Sequence, residues 1–105
     1  MNLQLFRNNI ATLGTPTLSD VTSGGMTVTG SIGWYKDGQW GYAYKKASAS
    51  TWTYVPQTSK AIEASLTGLD ASTKYDVCLY VKFDGVYQRG TKASATTEAA
   101  AQSPA

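Results

Sequence analysis

Cys78 is the one thiol in this 105-residue chain, and the sequence holds no His. A nucleophile needs a base poised beside it. Cys78 has no imidazole to call on, and its strand-face neighbours Asp76 and Tyr80 bring a carboxylate that opposes thiolate formation. It reads as an inert thiol with no internal disulfide partner, and without His there is no zinc pattern. Four aspartates, Asp37, Asp70, Asp76 and Asp84, are the remaining material for acid–base work. Three of them, Asp37, Asp70 and Asp84, stand where turns favour Asp for backbone reasons, and no dense acidic loop of the kind calcium favours is present. The sequence therefore assigns no catalytic residue, no metal ligand and no cofactor, and an enzyme is not expected.

The elements that carry these residues are strands. A chain of 105 residues is expected to form one domain. The charged fraction is only 15%, and the weight of Thr, Ser, Gly, Tyr and Val favours strands and turns over helices. Period-two alternation marks Met26 to Ile32, Trp40 to Tyr44, Ile62 to Leu66 and Tyr75 to Val81. Shorter strands are expected at Thr15 to Val21, at Thr51 to Pro56 with Trp52 and Tyr54 on one face, and along Val86 to Thr97 with a bulge at Gly90. Asp37-Gly38 reads as a hairpin turn and Asp84-Gly85 as a second turn. Along Tyr75 to Val81, the row Tyr75, Val77, Leu79 and Val81 is expected inside and Asp76, Cys78, Tyr80 and Lys82 outside. The aromatic row Trp40, Tyr42 and Tyr44, opposed by Gly41 and Ala43, is expected to fill the core.

Between two of these strands lies Leu-Thr-Gly-Leu-Asp-Ala-Ser-Thr-Lys-Tyr, with Leu66, Leu69, Thr73 and Tyr75 as its structural residues. This corner resembles that of fibronectin type III domains. The resemblance covers about Thr15 to Thr97 and implies an all-β fold: a seven-stranded Greek-key β-sandwich, A-B-E against C-C′-F-G. It also implies that Tyr75, mostly buried, bonds its hydroxyl back to the corner backbone. In many such domains a Trp fills the core near the place of Gly30, so another aromatic is expected to take up that volume. The division expected is an arm at 1–13, the sandwich at 14–97 and a small-residue tail at 98–105.

The same layout implies that Trp34, Tyr35, Trp40 and Tyr87 gather near one end, where aromatics with polar tips serve sugar stacking and protein contacts alike. It also implies an outer sheet face carrying Ala43, Lys45, Asp76, Tyr80, Lys82, Tyr87 and Arg89. Trp34, Tyr35, Tyr80, Tyr87 and Arg89 are the candidate surface-binding residues. Core filling is the competing role, stronger for Trp40 than for Tyr35 and Tyr87. The formal charge is +2 with the basic residues dispersed along the sequence, which gives no support for a nucleic-acid partner.

The opening Met-Asn-Leu-Gln-Leu-Phe resembles the start of several tailed-phage virion proteins. With Leu3, Leu5 and Phe6 it is read as a protein-contact arm. No apolar run of transmembrane length and no basic-start signal peptide is found, so membrane insertion is not expected. The leading expectation is a phage virion accessory protein, such as a capsid-decorating, fibre-attaching or tail module at the virion surface, bound to other virion proteins. The alternatives are a carbohydrate or cell-surface binding module using Trp34, Tyr35 and Tyr87, and a spacer from a multidomain secreted bacterial protein, which would be extracellular.

Overall fold

The computed structural model describes residues 11–34 and 38–100, and all of the regular structure among them is strand. In chain order these are β1 (Thr12–Leu13), β2 (Thr17–Ser19), β3 (Met26–Gly33), β4 (Gln39–Lys46), β5 (Thr53–Gln57), β6 (Ala61–Leu66), β7 (Lys74–Phe83), β8 (Val86–Arg89) and β9 (Ala93–Thr96). They form an all-β sandwich of two antiparallel sheets. In one, β3 pairs with β1 and β2 along one edge and with β6 along the other. In the other, β7 lies between β4 and the pair β8 and β9, and β5 closes the far edge on β4.

Among the described residues nine strands stand where seven were expected: Val86 to Thr97 carries two, and Thr12–Leu13 precedes the expected first strand. Between β1 and β2 lies Gly14 to Pro16, where proline has no N–H to give to a ladder. The last expected strand breaks after Arg89. A Cβ at Gly90 would lie 2.7 Å from Cβ of Leu13 and 2.9 Å from its carbonyl oxygen, so only glycine lets Leu13 approach here. The Gly90 amide still donates to the Leu79 carbonyl at 2.9 Å. One interruption thus makes room for the residue that ends β1.

The two Asp-Gly sites differ. Asp84 and Gly85 take φ of 54° and 79° and join β7 directly to β8, with Phe83 opposite Val86, as a two-residue hairpin demands. The strands flanking the other site, β3 and β4, lie in different sheets and do not pair with each other, so they are not the two arms of a hairpin. Asp37 and Tyr35, like Leu3, Leu5 and Phe6, lie outside the described residues.

The core follows from parity. Met26, Val28, Ile32 and Trp34 on the β3 side face Tyr42, Tyr75, Val77, Leu79 and Val81 of the other sheet, with Ile62 and Leu66 beside them. Each such aliphatic side chain contributes about 1.5–3 kcal/mol on leaving water. The space at Gly30 is closed by an aliphatic rather than an aromatic residue: Cδ1 of Leu79 lies 3.0 Å from where a Cβ would stand. The aromatic that serves this strand comes four residues later, as Trp34, edge-on to Phe83 at 5.9 Å.

At the corner between β6 and β7, the Asp70 amide donates to Oη of Tyr75 at 2.9 Å. Leu66 is buried and Leu69 packs on the core. Thr73 donates through Oγ1 to the Ala71 carbonyl and through its amide to Oγ1 of the buried Thr97. Glu98, assigned to the tail, is held on both backbone groups: its amide donates to Thr22 and its carbonyl accepts from Ser72. The packed unit therefore extends past both of its expected limits, from Ala11 to Glu98.

Candidate functional site

The outer face of the five-stranded sheet is where the sequence places its aromatic and basic side chains together. On β4 the outward positions are Gly41, Ala43 and Lys45, because Trp40, Tyr42 and Tyr44 point into the core. Gly41 is required there: an added Cβ would overlap the carbonyl oxygen of Val55 on β5. Two adjacent small residues leave a trough along β4, and β7 supplies Tyr80, paired with Gly41, to lie beside it.

Tyr80 is completely buried, as are Ala43 and Cys78 next to it. Its hydroxyl donates to Oε1 of Gln39 at 2.6 Å. Tyr54 meets it edge-on at 4.7 Å, and Tyr87 stacks on Tyr54 at 4.0 Å with ring planes 21° apart. Arg89 donates to Oη of Tyr54 at 2.7 Å and reaches over Trp52. Nζ of Lys45 lies 5.2 Å from the Trp52 ring, and Nζ of Lys82 lies 5.0 Å from that of Tyr87. The result is a second, smaller apolar layer with a cationic margin.

This layer corrects several expectations. Asp76, Cys78 and Tyr80 belong to the outward row but are buried: Trp52 and Tyr54 pack over Cys78 and Tyr80, and Lys45, Lys92 and Ser94 enclose Asp76. Tyr80 is thus covered rather than exposed, and it lies beneath Tyr54 and Tyr87. Trp34 is only 3% exposed, because it shares parity with Val28 and Ile32 and continues their inward row. It forms the inner wall of a groove of about 200 Å³ with Val81, Phe83 and Val86. Tyr87, 39% exposed, and Arg89, also exposed, remain at the surface as expected. Trp52 and Tyr54 were not among the candidates, although their period-two spacing was a readable signal; Tyr54 pairs with Ala43.

Burial pushes the Cys78 thiol up to about 11 and the Tyr80 phenol up to about 12. Asp76 behaves oppositely. Burial alone would raise it, but the Ser94 hydroxyl at 2.7 Å and the ammonium groups of Lys92 at 3.1 Å and Lys45 at 3.3 Å outweigh that, holding the carboxyl at about 2. Asp76 is thereby a fixed negative charge beneath two lysines.

The basic residues, dispersed in sequence, are not dispersed in space. Lys45, Lys74, Lys82, Arg89 and Lys92 are carried by this face, five of the nine Lys and Arg in the chain, against Asp76 alone among the described carboxylates. Strand alternation brings them together, since residues 74, 76 and 82 share one side of β7 and pair with the same side of β4, β8 and β9.

No protein-family model matches the chain, and no curated protein matches it in sequence. Among solved structures, a computationally redesigned β-sandwich protein superposes with a TM-score of 0.66 at 20% sequence identity, over 84% of this chain and 98% of that one. The chain is similar to that protein in fold.

Proposed function

We propose that this chain is a non-enzymatic adhesion module on a fibronectin type III-like plan, which holds another protein against the outer face of its five-stranded sheet. The fold part is supported by counting. If β1 with β2 and β8 with β9 are each one interrupted strand, seven remain, divided three and four, and the Asp70–Tyr75 bond occupies the corner that such domains share.

The observation that carries the functional part is the Tyr54–Tyr87 stack with Arg89 on its margin. Large aromatics and Arg are the side chains that dominate protein contacts when a rigid base holds them. Here Tyr80, locked between Gln39 and Tyr54, is that base. A carbohydrate module has less support, since a sugar stacks on an open ring face. Tyr87 already has Tyr54 and Lys82 as ring neighbours, and Trp52 has Lys45 and Arg89.

The setting we favour is a phage particle, where the module is an accessory to the capsid, fibre or tail. The opening Met1 to Phe6 supports this, and that arm is a second point of attachment in the proposal. Mass spectrometry with lysine cross-linking on particles from the source tests it. The expected result is the chain in the particle, with cross-links from Lys82 or Lys92 to another virion protein. Absence of the chain from purified particles overturns the virion setting, and cross-links confined to the other sheet overturn the contact face.

A further inference from the structure

We infer that the partner surface meeting this face is acidic: a protein segment rich in Asp and Glu, lying lengthwise along β7 with its carboxylates on Lys82 and Arg89 toward β8 and on Lys74 toward β9. This rests on the reading of the face as a protein contact and adds the chemistry of what it contacts.

The first argument is charge. The chain as a whole carries +2, whereas among the described residues this one face carries five cations against a single carboxylate. That carboxylate is spent. Asp76 is 1% exposed, and its oxygens are taken by Ser94, Lys45 and Lys92. It neutralises part of the local charge from below and offers nothing to a partner. Like charges gathered on one surface repel, and a partner bearing carboxylates removes that repulsion while adding charge-assisted hydrogen bonds.

Unused donors supply the second argument. Arg89 spends one N–H on Tyr54, leaving the rest of its five for a carboxylate, which its planar fork can hold in two places. Lys92 has a side chain 57% exposed despite its bond to Asp76. Lys82 stands against Tyr87, an exposed ring that gives a partner segment an apolar seat between the cations.

The competing polyanions fit less well. A single-stranded nucleic acid gains its affinity from bases stacking on open aromatic faces, and the rings here are stacked on one another or approached by cations. A second copy of this chain offers no matching acidic surface among the described residues: Glu63 stands on the opposite sheet, Asp20, Asp70 and Glu98 near the β6–β7 corner, and Asp84 at the β7–β8 turn.

The test is an NMR titration of the full chain with an oligo-glutamate peptide at low salt, with oligo-lysine, oligo-thymidylate and heparin run in parallel. Oligo-glutamate is expected to shift the amides of Lys74, Lys82, Tyr87 and Arg89 and to weaken severalfold when salt is raised. The double variant K82E/R89E, both sites being surface positions, is expected to keep a folded spectrum and to lose about tenfold or more in affinity. Absence of shifts with oligo-glutamate overturns the inference, as does tighter binding of oligo-thymidylate or heparin. Those outcomes leave the contact face itself standing, because lysine cross-links from it in the particle are an independent measurement.

Discussion

The Asp70 amide and the Tyr75 phenol oxygen lie 2.9 Å apart, closing the corner between β6 and β7 over Leu66 and Leu69. Tyr75 is 4% exposed, so its ring is core while its oxygen is structural glue for irregular backbone. Tyr75→Phe keeps the ring and deletes only the acceptor. It is expected to cost about 1–2 kcal/mol, a lost hydrogen bond with a part-buried donor left behind. Urea denaturation measures this as a lower midpoint at unchanged slope, and an unchanged midpoint refutes the role given to the hydroxyl.

Gly41 and Gly24 make a paired test of close approach. A Cβ at Gly41 overlaps the Val55 carbonyl, while one at Gly24 meets nothing within 4 Å. Gly41→Ala must therefore push β5 away from β4, at about 1–3 kcal/mol, whereas Gly24→Ala is expected to stay within about 0.5 kcal/mol of the parent. Thermal unfolding of both variants checks the difference. Equal stabilities would show that β5 is not held against β4 as closely as the register implies.

Asp76 makes stability depend on acid. Its carboxyl titrates at about 2 in the folded chain against an ordinary value of 3.8, so the folded state holds the charged form more tightly than the unfolded chain does. A lowered folded value stabilises above pH 3.8 and loses that contribution as pH falls from about 4 to 2. A loss of order 1–2 kcal/mol over that interval is expected from this one group. Asp76→Asn is expected to be less stable at neutral pH and to flatten the acid limb of a denaturation series. An acid limb as steep in the variant as in the parent assigns the dependence to other carboxylates.

Where alternation and turn chemistry rule, the fold was legible in the residues. Leu66, Leu69, Thr73 and Tyr75 announce the corner, Asp84-Gly85 a turn, and Tyr42 and Val77 the core, whereas β3 and β4, on either side of the hairpin expected at Asp37-Gly38, lie in different sheets and do not pair. Two kinds of information were not legible. Strand parity says which side of a sheet a residue leaves from but not what lies over it. Cys78 and Tyr80 point outward and are nonetheless buried, because Trp52 and Tyr54 arrive from a strand some 25 residues earlier. The second kind is lateral charge. Lys45, Lys82 and Arg89 are dispersed until strand pairing puts them on one face, and Lys92 joins that face through Asp76. Trp34 is a different case, because its inward parity with Val28 and Ile32 was readable, and the reading of a turn-end aromatic overrode it.

The stack of Tyr54 on Tyr87 is open to a double-mutant cycle. Tyr54 touches three partners: the edge of Tyr80, the face of Tyr87 and the guanidinium of Arg89. Tyr87 is the more exposed ring and leaves less behind when removed. Tyr54→Ala is thus expected to destabilise more than Tyr87→Ala, and the cycle is expected to return about 0.5–1.5 kcal/mol of coupling for the aromatic pair. Cys78 gives an independent readout, since burial keeps its thiol at about 11 in the folded chain and unreactive toward a disulfide reagent at neutral pH. Removing Tyr54 opens the cover over Cys78 and is expected to make it react without global unfolding, while Tyr87→Ala leaves it protected. Equal protection of Cys78 in both variants, together with zero coupling, would mean that Tyr54 and Tyr87 lie on the sheet independently and that the outer layer is no single contact platform.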